Sequence, residues 1–301
     1  MHLLITGSSS FIGKALLALC DARGIRITGI DRQEPTRPDC LQMDIQDPHL
    51  ADAIPEEVDA VIHLAAMSRD PDCRNRAKAC FAVNVMGTLN LMEAALQRRA
   101  RQFVFASTEW VYDRFTADVA KTEEDAIDPA NLQSEYALSK LVSEFNLRQK
   151  FQHGFCPVTI LRLGIIYGPR HDAWSAVESL LNGVASKDQL TVGAQATSRC
   201  FIHVSDIAEA LLAAVGQSGF AIYNIQGERL VSLGEVIATS QTILQRQISV
   251  VETAPHTPSI RNVSGEKAYR QLGWRPRVDL THGLQSVADF LQLPRGESPT
   301  R

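Results

Sequence analysis

Apolar runs alternate with helical periodicities along the first half of the chain. Six short, continuously apolar runs predict β-strands at 1–6, 25–31, 40–44, 60–64, 102–106 and 158–163. Between them, apolar positions at helical spacing predict helices over 11–23, 77–98 and 135–151. Strands that are apolar throughout and separated by helices are typical of a parallel sheet covered on both faces. The pattern therefore predicts a doubly wound α/β fold, in which ligands bind beyond the carboxyl ends of the strands.

The pattern of predicted elements changes after Gly168. Helical segments become shorter, and proline and glycine recur through the second half of the chain. We predict a first domain over 1–168, rejoined by the chain at roughly 200–225, and a smaller α/β lobe over 169–301. No Pro/Ser-rich or charged tether separates the two, so we expect them to pack together. The last residues, 295–301, have the composition of a chain terminus.

Composition and charge exclude several classes of protein. Hydrophobic residues make up 45% of the chain and charged residues 21%, values typical of a globular protein. A net charge of −4 offers no basic surface, so we expect no nucleic-acid partner. No run approaches the roughly 18 apolar residues of a membrane helix, and the N-terminus lacks a basic signal region, so we expect a cytoplasmic protein outside membranes. The six cysteines show no metal-ligand spacing, and no metal site is expected.

A glycine- and serine-rich loop joins the first predicted strand to the first predicted helix. Its sequence is Thr-Gly-Ser-Ser-Ser-Phe-Ile-Gly at 6–13. Gly7 permits the turn, the small Ser10 lets a pyrophosphate approach, and Gly13 lets the helix pack on the strand. The helix N-terminus at Phe11 and Ile12 offers free N–H groups and a positive dipole end to phosphates. We call residues 6–13 the phosphate loop.

Asp31 ends the second predicted strand, where an acidic residue completes a dinucleotide site. Its carboxylate would accept hydrogen bonds from the adenosine ribose hydroxyls and repel a 2′-phosphate. The context of strand, loop, helix and acid therefore predicts NAD, rather than NADP, as cofactor. The alternative is a structural Gly-Ser turn without a ligand.

Tyr136 and Lys140 lie four residues apart on a predicted helix and therefore on one face. A phenol with a pKa near 10 is a poor base at neutral pH. A nearby ammonium group and the positive nicotinamide ring would favour the phenolate and lower that pKa. Reaching a pKa of about 7 needs roughly 4 kcal/mol of differential stabilisation. The alternative is an ordinary solvated helix face.

The chain resembles the extended short-chain dehydrogenase/reductase family, the NAD-dependent nucleotide-sugar epimerases and dehydratases. Ordered matches carry the resemblance along nearly the whole chain: TGSSSFIG at 6–13, Asp31, Asp44-Ile45, HLAA at 63–66, NVMGT at 84–88, STEWVY at 107–112, YALSK at 136–140, LRLGIIYGPR at 161–170, RCFIHVSD at 199–206 and LGW at 272–274. The resemblance implies a Rossmann domain over 1–168 that binds NAD and a lobe over 169–301 that binds substrate.

The resemblance also implies roles for individual residues. Cofactor contacts would come from Tyr136 and Lys140 and, beyond the phosphate loop and Asp31, from Asp44, Ile45, Leu64, Ala65, Ala66 and Asn84. Thr108 would join Tyr136 and Lys140 as a catalytic residue, since its hydroxyl would bind the substrate oxygen that Tyr136 deprotonates. His63 ends a buried strand without a carboxylate or metal-spaced partner, and we interpret it as a core residue.

The predicted contacts with the substrate come from three arginines and one glutamate. By resemblance, Arg199 would grip the diphosphate of the substrate, a task suited to guanidinium, with Arg261 as a second contact and Arg170 as a third. Glu109 follows Thr108 and would contact the substrate. The alternative for each arginine is an ordinary surface residue.

Three departures from the family pattern bear on function. Ser10 replaces the middle glycine of the phosphate loop and should crowd the pyrophosphate slightly. Trp110 stands where 4,6-dehydratases carry a second carboxylate, and an indole cannot abstract a proton, so dehydratase activity is not expected. Ile165 replaces an asparagine that contacts substrate in relatives, which removes a polar anchor.

These observations favour an NAD-dependent nucleotide-sugar 4-epimerase with a nucleotide-diphosphate sugar as substrate. The first alternative is a net oxidoreductase of the same fold, a sugar dehydrogenase or 4-ketoreductase that exchanges its cofactor. The second is a non-catalytic NAD-binding regulatory protein, because fold alone does not fix function. By resemblance we also expect a homodimer through the helices over 77–98 and 135–151.

Overall fold

The computed structural model describes residues 1–115, 119–172 and 175–294. Their strands are β1 (His2–Thr6), β2 (Arg26–Asp31), β3 (Cys40–Gln42), β4 (Ala60–His63), β5 (Phe103–Thr108), β6 (Val158–Leu163), β7 (Ile166–Tyr167), β8 (Gln189–Val192), β9 (Ser198–Arg199), β10 (Ile202–His203), β11 (Phe220–Ile225), β12 (Val231–Ser232), β13 (Ser249–Glu252) and β14 (Ile260–Arg261). Their α-helices are α1 (Phe11–Ala22), α2 (Asp70–Cys73), α3 (Ala77–Phe81), α4 (Thr88–Gln97), α5 (Glu135–Gln152), α6 (Ala176–Ser186), α7 (Val204–Ala213), α8 (Leu233–Leu244), α9 (Glu266–Gln271) and α10 (Leu280–Phe290).

Seven parallel strands form the central sheet in the order β11-β6-β5-β4-β1-β2-β3. Successive side chains of a strand point to opposite faces. Accordingly, Leu3 of β1 lies in a core shared with α1 and α7, whereas Leu4 lies in a second core shared with α4 and α5. The predicted doubly wound α/β fold is confirmed.

The predicted strands agree with the observed ones to within two residues at each end. β5 extends to Thr108, which makes that residue the last of its strand. β3 ends at Gln42, two residues early, and the N–H of Met43 then donates to the carbonyl of Asp31 at 2.8 Å.

The helix predicted over 77–98 contains a π-helical turn, Ala82–Gly87, between α3 and α4. The side chains of Thr88 and Ser143 both donate to the carbonyl of Asn84, at 2.7 and 2.9 Å. These side-chain bonds satisfy a carbonyl within the wider turn. π-turns inside helices are frequent at functional sites.

The second half of the chain builds three small sheets, ordered β12-β9-β14, β10-β7 and β13-β8. A third core joins them to α6, α8 and α10. Between these elements the chain returns to the main sheet, where β11 pairs with β6. The division into 1–168 and 169–301 stays a prediction, and the expected terminal segment 295–301 lies outside the described residues.

One helical run, 77–97, is long and apolar enough to cross a membrane by length and composition alone. Half of its most apolar stretch is buried inside the protein, and a single helix of this kind is weak evidence for a membrane span. Within the described ranges, no group of three or more His, Cys, Asp or Glu side chains is arranged to hold a metal ion.

Candidate active site

The phosphate loop turns sharply after β1 and leads into α1. Gly7 has φ of +74°, and a Cβ there would lie 2.7 Å from the Ala65 nitrogen. A Cβ at Gly13 would lie 2.3 Å from the Gly7 carbonyl oxygen, so both positions need glycine. The Ser10 hydroxyl caps α1 by accepting the N–H of Gly13 at 3.0 Å, which folds this side chain back onto its own helix.

The first two N–H groups of α1, those of Phe11 and Ile12, contact no acceptor among the described residues. At the neighbouring strand end, one Asp31 oxygen accepts the N–H of Ser9 at 2.9 Å and the other that of Gln33 at 3.0 Å. The Asp31 carboxylate therefore lies against the phosphate loop, and α1, which follows that loop, offers two backbone N–H groups as hydrogen-bond donors. This arrangement fits a dinucleotide, with the ribose at Asp31 and the pyrophosphate at α1.

The other predicted cofactor residues surround the same strand ends. The N–H of Leu64 donates to the Thr6 carbonyl at 3.1 Å, which brings residues 64–66 beside the phosphate loop. The Asp44 carboxylate accepts the N–H of Gln46 at 2.9 Å. Ile45 is buried, and a Cβ at Gly87 would lie 2.7 Å from its side chain.

Two further residues of this region are engaged inside the protein. His63 is buried between the hydroxyls of Thr6 and Thr88, at 2.7 and 2.9 Å, and burial lowers its pKa well below the usual range. It is a core residue, as predicted. The Asn84 amide bonds both backbone groups of Met67, at 2.8 and 3.0 Å. Asn84 therefore holds the loop after β4 in place, and its predicted contact with the cofactor stays a prediction.

Thr108, Tyr136 and Lys140 come together at the carboxyl end of β5. The Thr108 side chain is hydrogen-bonded to Tyr136. The Lys140 ammonium donates to the carbonyl of Ala106 at 2.8 Å and lies 4.7 Å from the centre of the Phe105 ring. The three predicted catalytic residues thus share one site.

The pKa values of this group differ from the expectation. Burial raises the pKa of Tyr136 to about 12, against the lowering effect of the hydrogen bond from Thr108. Burial also lowers the pKa of Lys140 to about 8. In the protein alone, desolvation thus outweighs the hydrogen bond from Thr108, because the phenolate is withdrawn from water.

A buried ion pair lies beside β5, the strand that ends at Thr108. The guanidinium of Arg162 in β6 donates to both carboxylate oxygens of Glu144, the shortest bond being 2.7 Å. Glu144 also accepts from the hydroxyl of Ser107, which precedes Thr108. Because Glu144 lies four residues after Lys140 on α5, this pair connects the catalytic helix to the catalytic strand.

The predicted substrate residues Glu109, Arg199 and Arg261 meet beside Thr108. Arg199 and Arg261 are register partners in the parallel pair β9–β14, so their side chains share one face. The Arg261 guanidinium lies 4.4 Å from the Trp110 ring. The Arg199 guanidinium donates to the carbonyl of Ser259 at 2.6 Å. We call Arg199 and Arg261 the arginine pair.

Glu109 is an unusual carboxyl in this setting. It is 1% exposed, and its Oε1 atom has no hydrogen-bond partner among the described residues. Burial raises its pKa to about 7, against the lowering effect of Arg261 and then Arg199. Burial and the charge of Arg261 in turn lower the pKa of Arg199, against the effect of Glu109. A carboxyl group with a pKa near neutral pH therefore lies between Thr108 and the two arginines.

Arg170 lies beside the phosphate loop. Its guanidinium carbon is 4.4 Å from the centre of the Phe11 ring, and its Nε–H donates to the buried Glu178 at 2.8 Å. The structure thus places this predicted third phosphate contact against the first residue of α1. Ile165 packs against the third core, consistent with its apolar character.

Two features of the site are not among the sequence predictions. The first is the Trp110 ring, which supports Arg261 as well as replacing a carboxylate. The second is the ion pair of Glu144 and Arg162. Its signal is visible in the sequence, because Arg162 is a lone charge inside the apolar strand β6 and Glu144 follows Lys140 at helical spacing.

Comparison with known proteins shows relatives of several activities. The chain is 27% identical over 305 residues to UDP-glucuronic acid decarboxylase 1 of Arabidopsis thaliana, covering 96% of this chain and 70% of that protein. It is 28% identical over 300 residues to GDP-6-deoxy-D-mannose reductase of Pseudomonas aeruginosa, covering 95% of each.

A solved structure with the same fold is the UDP-glucose 4-epimerase of Thermus thermophilus in complex with NAD, with a TM-score of 0.83 and 25% identity over 97% of this chain and 99% of that one. The model of the NAD dependent epimerase/dehydratase family matches residues 3–225. This confirms the expected resemblance, and the predicted enzyme class and cofactor agree with the family's description. The chain belongs to the NAD dependent epimerase/dehydratase family.

Proposed function

We propose that the protein is an NAD-dependent nucleotide-sugar 4-epimerase. The observation that carries the proposal is the continuity of the site. Thr108 and Tyr136 are hydrogen-bonded at the end of β5, and the next residue, Glu109, interacts electrostatically with the arginine pair. A sugar hydroxyl at Thr108 and a diphosphate at the arginine pair would occupy neighbouring parts of one cleft.

NAD held by the phosphate loop and Asp31 would supply the reversible acceptor for the hydride of the sugar carbon. The protein's own task is to move the hydroxyl proton and hold the sugar oxygen. Thr108 orients that oxygen, and Tyr136 accepts its proton. With a pKa of about 12, Tyr136 is protonated at neutral pH in the protein alone. The positive charges of Lys140 and of the cofactor ring are therefore needed to favour the phenolate during turnover.

The arginine pair would bind the substrate diphosphate. Trp110 fixes the guanidinium of Arg261 by stacking, and the backbone carbonyl of Ser259 fixes that of Arg199. Fixed guanidinium groups lose little freedom when they bind a phosphate, which favours tight binding. We also propose that Asp31 makes the enzyme prefer NAD to NADP, through its hydrogen bonds to ribose.

A net oxidoreductase, either a sugar dehydrogenase or a 4-ketoreductase, is the second candidate. Ile165 supports it, since an apolar side chain replaces a polar anchor for the substrate. The similarity to a GDP-6-deoxy-D-mannose reductase over 95% of the chain supports it as well. The two candidates differ in one measurable property, which is whether the cofactor leaves the enzyme in each turnover.

We propose in addition that the protein is a homodimer through α4, α5 and the π-turn between α3 and α4. Met86 and Phe145 are 59% and 55% exposed on these helices. Large exposed apolar side chains are typical of protein interfaces. Met86→Glu should convert the dimer to a monomer in sedimentation analysis, and a wild-type protein that sediments as a monomer would contradict this assembly.

The test of activity combines two readouts on one reaction. The protein receives NAD and a panel of UDP-, dTDP- and GDP-sugars, UDP-glucuronic acid included. Proton NMR reports inversion at the sugar C4, and absorbance at the NADH band reports net oxidation. Inversion without net NADH would support the epimerase, and net NADH would support a dehydrogenase. Keto sugars with NADH test the reductase, and inactivity with every sugar in both directions would reject the proposal.

A further inference from the structure

Phe11, at the cofactor end of the site, contacts the second half of the chain. It is the first residue of α1, directly after the capping Ser10, where a pyrophosphate is expected to bind. The guanidinium carbon of Arg170 lies 4.4 Å from the centre of its ring. A Cβ at Gly168 would lie 3.2 Å from the Cζ atom of the same ring. Phe11 is thus held by the 168–170 segment that follows β7.

Glu178 fixes the segment that carries Arg170. Its side chain is fully buried and accepts the N–H of Gly168 at 3.2 Å and the Nε–H of Arg170 at 2.8 Å. It also accepts the N–H of Ser175 at 2.8 Å, which forms the capping box of α6. One buried carboxylate therefore ties the 168–170 segment to α6 and holds the guanidinium over the Phe11 ring.

The helix dipole at this contact favours an anion. Within the fully described helix α1, the first turn contains no acidic side chain that would compensate the helix dipole. The Arg170 guanidinium forms an ion pair with the fully buried Glu178 at 2.8 Å, so these two charges largely offset each other. A pyrophosphate at the N-terminus of α1 would therefore meet the helix dipole, and the other half of the chain would contribute the contact of Arg170 with the Phe11 ring rather than added positive charge.

We propose that Phe11 and Arg170 form a clamp that joins the two halves of the chain across the pyrophosphate site and slows the release of bound NAD or NADH. Both are positioning residues, because the ring fixes the guanidinium and the guanidinium keeps the segment after β7 against the phosphate loop. The inference concerns the cofactor and is independent of which sugar reacts. Slow release suits an enzyme that returns the hydride to the same sugar.

Two substitutions separate the clamp from the rest of the fold. Phe11→Leu removes the ring and leaves the Arg170–Glu178 pair intact. Arg170→Lys keeps a positive charge for Glu178 and loses the planar group that stacks on the ring. Release is measured by stopped flow, as the loss of bound NADH fluorescence after mixing with excess NAD. Each variant should release NADH roughly tenfold faster, the factor expected for a desolvated cation–π contact.

The double variant tests whether the two residues act as one contact. If they do, its release rate should lie within about twofold of the faster single variant, because the same interaction is removed in both. Arg23→Lys is the matched control, since Arg23 directly follows α1 and pairs with Glu209 at 2.7 Å on the surface. Its release rate should equal that of the wild type.

Circular dichroism of the cofactor-free proteins establishes which variants are folded. Release rates within about twofold of the wild type in the folded single variants would overturn the clamp. So would a double variant whose acceleration is the product of the two single effects. If one variant does not fold, the release rate of the other decides the question alone.

Discussion

Replacing Glu109 by glutamine should make the protein more stable at pH 8, although Glu109 lies in the candidate active site. Burial raises the pKa of Glu109 from its ordinary value of 4.5 to about 7 in the folded protein. Between these two values the folded state binds a proton that the unfolded state has released. Stability therefore falls as the pH rises from about 4.5 to about 7, and the loss is complete above that range.

The size of the effect follows from the same two values. Their difference of roughly 2.5 corresponds to about 3 kcal/mol, at 1.36 kcal/mol per pKa unit. At pH 5 the folded-state carboxyl is still protonated, and the penalty is below about 1 kcal/mol. Glutamine has nearly the same shape and carries no charge, so Glu109→Gln should remove the penalty without leaving a cavity.

The assay is urea unfolding of both proteins without cofactor at pH 5 and pH 8. The gain in the free energy of unfolding should be about 3 kcal/mol at pH 8 and below about 1 kcal/mol at pH 5. Glu144→Gln is the matched control, because that carboxylate is buried in a hydrogen-bonded pair with Arg162. It should destabilise the protein at both pH values, since it leaves a buried guanidinium without its charged partner.

An equal gain at both pH values would refute the reasoning, as would a loss of stability at pH 8. An equal gain would mean that the effect of glutamine does not come from the titration of Glu109. A loss at pH 8 would mean that Arg199 and Arg261 stabilise the Glu109 carboxylate by more than burial destabilises it. In that case Glu109 would be charged in the folded protein at neutral pH.

Four further variants test other parts of the site. Tyr136→Phe should lower turnover by about 10² to 10⁴-fold, the range for a lost acid–base group, with NADH affinity unchanged in a fluorescence titration. Asp31→Ala should weaken NAD binding and improve tolerance of NADP, and an unchanged preference in titration would contradict its role. Trp110→Ala should raise the substrate KM roughly tenfold with little change in kcat, because Arg261 loses its support, and an unchanged KM would argue against that support. Arg162→Met combined with Glu144→Leu should recover most of the stability lost by Glu144→Gln in urea unfolding, since an apolar pair replaces a buried ion pair at little cost.

Periodicity predicted the sheet well because burial on both faces leaves a continuous apolar run in each strand. Val158–Leu163 was predicted with both its ends correct, although Arg162 lies within it. The helix Phe11–Ala22 begins at its predicted residue because Ser10 caps it. The π-turn at Ala82–Gly87 was not predictable from periodicity, because side-chain bonds from outside the turn reach the carbonyl of Asn84.

The candidate site also combines features that the sequence predicts with features that depend on packing. Short-range motifs indicated Tyr136 and Lys140, and the structure brings both beside Thr108. Their pKa values depend on how much water the fold excludes, which no spacing in the sequence records. The stacking of Trp110 on Arg261 joins residues 151 positions apart and depends on how β14 lies against β5. The sequence could therefore predict which residues gather at the candidate site, and only the packed structure shows how they are supported.

Buried charges in this protein are concentrated where the two halves of the chain meet the carboxyl ends of the central strands. Glu144 and Arg162 lie behind Thr108, and Glu178 and Arg170 lie beside the phosphate loop. Glu109 directly follows Thr108 and interacts electrostatically with the arginine pair. For stability alone, apolar residues would serve as well as the two ion pairs. Glu109 even destabilises the fold above neutral pH. Their placement fits the proposed reaction, because each contacts a group that we expect to meet cofactor or substrate.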